Sequence, residues 1–319
     1  MQPATCNLYP SFYYTLQLII MKNIFIATGI VAIAIAGCSV AHAPISTPEI
    51  NTKVQDERVN EMLLGHCSRT CLMEPPYKEW YLKNYTDYIV DTATAEKLRP
   101  LLANKTIVVF LGTWCGDSRR EVPRLIKLLD ACKFPESELK LVMVDYRDGS
   151  YKQSPQHEEK GKNIFRVPTM LVYSGNKELG RIIEFPKVSL EKDLLAILNN
   201  NYVPNYPAGN GLLENLRKTK VKDLYYDSAE IFNRLQPQLR NSFELNSIGH
   251  VLLDEGEKEK ALFVFSLNKD LYPGASNAWN GLARAFLAFH RKEEARMALA
   301  KSISLDANNE EAQRLLKML

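Results

Sequence analysis

The chain has 319 residues, with 40 Lys and Arg against 37 Asp and Glu, for a formal net charge of +3. So even a balance excludes the concentrated basic surface that nucleic-acid binding needs. Six cysteines are too sparse for a disulfide-stapled scaffold. A chain that is 46% hydrophobic and 24% charged is ordinary globular material, long enough for two or three domains.

Chain order begins with an address. Residues Asn23 to Ala36 are almost unbrokenly apolar, preceded by Met21 and Lys22 and followed by small residues. That is the layout of a secretory signal, and it is short for a permanent membrane span. The run ends Ile35-Ala36-Gly37-Cys38, which resembles the bacterial lipobox. The resemblance implies lipidation at Cys38 and a protein anchored to an envelope membrane, facing the periplasm or the outside. The alternative is plain secretion, with cleavage after Ala41-His42-Ala43 in a signal and leader spanning residues 1–43. Residues 1–20 hold no Lys or Arg and fit no signal layout, so Met21 is the better start. In an oxidising compartment Cys67, Cys71, Cys115 and Cys132 then remain in the folded part.

Residues 44–58 are polar and read as a tether. Residues 59–99, with Val59, Met62, Leu63 and Leu64 and then Trp80, Tyr81, Tyr85 and Tyr88, read as a helical, aromatic-rich extension broken once at Pro75-Pro76. The β-branched run Thr106-Ile107-Val108-Val109-Phe110-Leu111 predicts a buried strand. A helix follows from Asp117 to Cys132, then a second strand at 139–144, which predicts a parallel βαβ unit. A polar segment (151–163) leads to a strand at 169–173, a turn at Ser174-Gly175-Asn176 and a hairpin partner at 181–185. Ser189 caps a final helix through Leu198. Residues 201–222 read as a linker by composition, and the remainder, 223–319, as all helical.

Three features between residues 100 and 200 resemble thioredoxin. Trp114-Cys115-Gly116-Asp117-Ser118 follows the first strand and opens the helix, where that family carries Trp-Cys-x-x-Cys. Pro123 stands where the family's helix has its kink. Val167-Pro168-Thr169 precedes a strand, as the family's cis-proline loop does. The resemblance covers about a third of the chain. It implies an α/β thioredoxin fold, a central mixed sheet flanked by helices, with Cys115 as nucleophile and Val167, Pro168 and Thr169 offering backbone groups to an extended substrate. A cysteine at a helix N-terminus sits at the positive end of the helix dipole, which favours thiolate, the attacking species in disulfide exchange. A carboxylate at Asp117 opposes that effect.

The sequence also departs from the family. The second cysteine is Ser118, whose hydroxyl cannot resolve a mixed disulfide, and the family's buried Asp is Val109. Cys115 would therefore act as a monothiol, resolved by another thiol. Within the chain the candidates are Cys67 and Cys71, if their segment folds over the active site. Cys132, at the far end of the helix, lies roughly 25 Å of helix rise from Cys115 and should not pair with it. His66 beside Cys67 and Cys71 gives three metal-ligand types with no second cluster, a weak zinc signal. No metal or other cofactor is expected.

Residues 242–309 contain two copies of one unit. Asn246 matches Asn280, Leu253 Leu287, Ala261 Ala295, and Leu271 Leu305, each thirty-four positions on. That period resembles tetratricopeptide repeats, with copies near 242–275 and 276–309. The resemblance implies an all-α helical-repeat module whose groove, at Asn246, His250, Asn280 and Arg284, takes a peptide or protein. The expected function is thiol–disulfide exchange on a protein or small-molecule substrate in the envelope. The rival is a scaffold, a degenerate thioredoxin domain with a peptide-binding module.

Overall fold

A computed structural model describes residues 50–319, and its first element is a hairpin. Strands β1 (Thr52–Asp56) and β2 (Asn60–Cys67) pair antiparallel. Along β1 half-buried residues alternate with exposed Lys53 and Gln55, the period of a strand with one face to solvent. Asp56 closes the turn by accepting the backbone N–H groups of Arg58 and Val59 at 2.9 and 3.1 Å. The expected tether at 44–58 thus already contains sheet, and the expected helical extension begins as a strand. Its helices come later, as α1 (Lys78–Asp87) and α2 (Thr92–Leu101). Cys38, the apolar leader and the start at Met21 lie outside the described residues.

β3 (Lys105–Leu111) and β4 (Leu139–Met143) are parallel and joined through helix α3 (Gly116–Ala131). β5 (Thr169–Ser174) and β6 (Lys177–Ile183) form the closing hairpin. The sheet is six-stranded and mixed, in the order β1-β2-β4-β3-β5-β6. Helix α4 (Leu190–Leu198) follows, capped as expected by Ser189, whose hydroxyl accepts the Lys192 N–H at 3.2 Å. Side chains alternate across the sheet. Ile107, Val109 and Leu111 point to a face covered by α1–α4, where they meet Leu98, Leu125 and Leu194. Each such buried aliphatic side chain contributes about 1.5–3 kcal/mol. Phe110, Val142, Val144 and Leu171 point to the other face, where Ile164, Val167 and the edge of Cys115 cover them.

The expected linker at 201–222 is largely helix. α5 (Pro207–Lys218) starts with proline, whose missing N–H is no loss in a first turn, and buries Ala208, Leu212, Leu213 and Leu216. Then come α6 (Val221–Tyr226), α7 (Ser228–Leu235), and two helix pairs, α8 (Phe243–Asp254) with α9 (Lys258–Leu271) and α10 (Ser276–Ala288) with α11 (Lys292–Leu305); α12 (Glu310–Lys317) closes the chain. Lys258–Leu271 and Lys292–Leu305 keep the thirty-four-residue offset. Gly249 and Gly281 let the helices close on Phe265, because a Cβ at either would strike its ring. The helical core is not separate from the sheet: Phe165 and Ile183 are buried in it beside Leu212, Leu245 and Ile248. The architecture is therefore an α/β domain with a mixed sheet, packed against an all-helical C-terminal module. Among the described residues no helix is long and apolar enough to cross a membrane.

Candidate active site around Cys115

Cys115 is the N-cap residue of α3, held in extended conformation just beyond the C-terminal end of β3. Its N–H bonds the Gly112 carbonyl at 2.9 Å, and its carbonyl accepts the Arg119 N–H at 3.0 Å. The thiol is half-exposed and donates to the Val167 carbonyl at 3.3 Å. The Val167–Pro168 bond is cis. The Pro168 carbonyl accepts the Glu184 N–H at 2.7 Å, and the Thr169 hydroxyl donates to the Arg166 carbonyl at 2.7 Å. The chain thus brings Cys115 against Val167, fifty-two residues on, at the start of the Val167-Pro168-Thr169 segment.

The other members of the motif are engaged. Ser118 is buried, and its hydroxyl accepts the Gly112 N–H at 3.2 Å. The position that would carry a second thiol instead braces the loop before Cys115. Asp117 is paired with Arg120 at 2.6 Å, and Arg120 also reaches the buried Glu121 at 2.5 Å. Arg119 donates to the Thr113 carbonyl at 2.6 Å. Both arginines are thus committed to partners other than the sulfur. Val109 lies on the covered face of the sheet, fully buried.

Trp114 connects the site to the rest of the molecule. Its indole N–H donates to the Val144 carbonyl at 2.9 Å, and its ring leaves no room for a Cβ at Gly112. The Tyr146 ring lies 5.2 Å from it, and the Lys152 ammonium stands 4.2 Å above it. Sequence reasoning missed Tyr146, Tyr151 and Lys152, because the segment that holds them reads as polar loop; the two tyrosines were its one signal. Buried Asp145 organises that loop, accepting the Tyr146 and Arg147 backbone N–H groups at 2.7 and 2.9 Å and the Arg147 guanidinium at 2.6 Å.

Of the repeat residues expected to line a groove, His250, Asn280 and Arg284 face this same loop or α12. The His250 ring lies 5.5 Å from Tyr151 and 5.2 Å from Phe265. Desolvation and the neighbouring Arg284 and Lys152 push its pKa down to about 3, with Asp148 opposing. Arg284 pairs with Asp148 at 2.9 Å and with Glu311 of α12. Asn280 donates to Glu311 at 2.8 Å, while the Asn246 and Asn280 carbonyl oxygens are buried without partners. The Tyr151 N–H donates to Asp254 at 2.8 Å. The chain's own loop therefore occupies part of the concave side, leaving a cleft of about 640 Å³ between the β1–β2 turn, Tyr146, Tyr151 and the repeat helices.

Cys67 and Cys71 do not meet Cys115. Cys67 ends β2 and Cys71 opens a short turn of 3₁₀ helix, so they do not share a continuous helix. Both are buried on the face covered by α1–α4, opposite the face where Cys115 packs. β4 separates β2 from β3, roughly 10 Å across, and a disulfide needs Cα atoms within about 7 Å. Neither thiol can resolve Cys115 in this fold. Burial first, then the neighbouring Cys71, pushes the Cys67 thiol far up; burial raises Cys71 as well. Cys132 is buried at the other end of α3, pushed up to about 11 by burial. His66 points to the opposite side of β2 and pairs with Glu158 at 2.8 Å, so the three ligand types do not converge. Among the described residues no cluster of His, Cys, Asp and Glu could hold a metal ion. Compared with protein-family models, curated proteins and solved structures, the chain matches none.

Proposed function

We propose that this chain is a thiol–disulfide exchange protein of thioredoxin type, working through Cys115 alone. The observation that carries the reading is the pairing of a half-exposed thiol at a helix N-cap with the Val167 carbonyl, 3.3 Å away and next to Pro168, while the other described cysteines are buried. The order of β3, α3 and β4, with β5 antiparallel beside β3, supports the thioredoxin-type assignment of the domain. The two offset helix pairs support a tetratricopeptide-type module. Membrane attachment at Cys38 and an envelope location rest on the leader sequence.

In the reaction, the Cys115 thiolate attacks one sulfur of a substrate disulfide. A new S–S bond forms to Cys115, the substrate S–S bond breaks, and the second sulfur leaves as thiolate. Ser118 cannot attack the mixed disulfide, so a thiol from a second molecule reverses the step. The helix N-terminus stabilises negative charge on sulfur as it forms and leaves. The backbone around Val167 and Pro168 steers the incoming segment against Cys115.

Incubation with excess disulfide and intact-mass analysis tests the reading. One mixed disulfide per chain, mapped to Cys115 and absent in Cys115→Ser, is the expected result. No mixed disulfide on the native chain would leave the scaffold reading, which the sealed Ser118 favours, and exchange that survives Cys115→Ser would overturn Cys115 as the nucleophile.

A further inference from the structure

Lys152 is 6% exposed. No carboxylate pairs with it among the described residues; its ammonium instead lies over two rings, 4.2 Å from Trp114 and 4.6 Å from Tyr151. A buried ammonium without a counter-ion is costly, and cation–π contacts offset only about 0.5–2 kcal/mol of it. Trp114 directly precedes Cys115, and Tyr151 lines the 640 Å³ cleft, so this cation touches the residue next to the reactive sulfur and a wall of the cavity.

Four arginines, Arg58, Arg147, Arg284 and Arg314, and four carboxylates line the cleft, and most of them are paired. Arg58, on the β1–β2 turn at the cleft, stacks over Tyr146 at 5.9 Å and likewise has no carboxylate partner among the described residues. The Arg284 Nε is buried without an acceptor. Of the carboxylates lining the cleft, Asp56 is taken by the Tyr146 hydroxyl at 2.5 Å and by two backbone N–H groups. Asp148 and Glu311 are taken by Arg284. Glu57 alone stands without such a partner, and it is exposed. The volume is that of a small-molecule site.

We propose that Lys152, with Arg58 across the cleft, anchors the carboxylate of a small acidic disulfide while Cys115 attacks its sulfur. This rests on the exchange reading and names its substrate class. Cys115 Sγ bonds one substrate sulfur, the other leaves as thiolate, and Lys152 holds the anion without taking part in the bond changes.

The test uses the full chain and three disulfides of different charge: 5,5′-dithiobis(2-nitrobenzoate), a dianion; 4,4′-dithiodipyridine, neutral; and cystamine, a dication. The readout is the ratio of anionic to neutral rate at Cys115, normalised to the same ratio for a cysteine in a neutral peptide. We expect that ratio to exceed unity by about tenfold at low salt, to shrink as salt is added, and to leave cystamine slowest. Lys152→Met should return the ratio to near unity and Lys152→Arg should retain most of it. A purely structural role would slow both probes together and leave the ratio unchanged, which would overturn the proposal. Arg58→Gln, at an exposed turn, should lower the ratio about two- to threefold, which keeps the test decisive if Lys152→Met fails to fold. No reaction with any of the three disulfides would sink the exchange reading itself. Reaction with all three at a ratio near unity would sink only the assignment of an acidic substrate.

Discussion

On one face of the sheet, Cys67, Cys71 and Cys132 lie sealed under α1–α4, their neighbours apolar and their thiols pushed up by burial. On the other face Cys115 stands half-exposed among Phe110, Val142 and Ile164, and what covers that face arrives with Ile164 and Val167, at the end of a loop that the helical module grips. The first face is closed by α1–α4, chiefly through apolar side chains, with charged pairs such as Arg69–Asp130 at its rim. The second is closed by polar grips: Asp254 on Tyr151, Arg284 on Asp148, and Trp114 on Val144. The difference teaches where reactivity can reside. One sulfur chemistry is silenced by apolar cover and left available where the cover is polar and incomplete.

The largest expected effect tests that contrast directly. In the native chain an alkylating agent should modify Cys115 at least about a thousandfold faster than Cys67, Cys71 or Cys132, whose labelling waits for unfolding; time-resolved peptide mapping reads all four. Labelling of Cys67 or Cys71 at a rate near that of Cys115 would break the comparison. A cavity in the sealed face sharpens it. Leu72 is fully buried beside Cys71, so Leu72→Ala should cost about 2–5 kcal/mol in denaturant melts and speed alkylation of Cys71 more than that of Cys115.

Acid should act on the polar side. His250 is held neutral in the fold to about pH 3, below its usual 6.5, by desolvation and by Arg284 and Lys152, against Asp148. Between those values the unfolded chain binds the extra proton, so stability falls as pH falls, by about 1 kcal/mol per pH unit. Asp254 and Glu244, held above the usual carboxylate range chiefly by burial, work in the opposite direction. The difference in slope between the wild type and His250→Gln isolates the histidine, and equal slopes from pH 6.5 to 4 would refute its part. The smallest effect belongs to the sealed side's edge: Ser189→Ala removes the cap of α4 and should cost about 1 kcal/mol, with Cys115 alkylation unaltered.

The strands at 105–111, 139–143 and 169–174 were legible because buried strands of this kind are continuous apolar runs, and α3 because its apolar positions recur at helical spacing. The hairpin of β1 and β2 was not. Its alternation is only five residues long, and Met62-Leu63-Leu64 matches helix or strand until a partner strand decides. α5 hid behind Pro, Asn and Gly, residues that favour a loop yet are tolerated in a first turn when Leu212, Leu213 and Leu216 have a core to enter. Cys115, Pro168 and the pairing between them were readable in the motif. Lys152 was not, because a lysine in a polar stretch gives no sign that it will be buried on a tryptophan thirty-eight positions earlier.

Ile164 and Phe165 are consecutive, yet the first enters the core under the sheet and the second the core of the helices, with Ile183 beside it. Two hydrophobic interiors are thereby riveted through a single peptide unit. A truncation after α4 would strip the cover from Phe165 and Ile183 and set loose the stretch that carries Val167 to Cys115. The chain should therefore melt as one cooperative body, and its sulfur chemistry should not be recoverable from the α/β half expressed by itself.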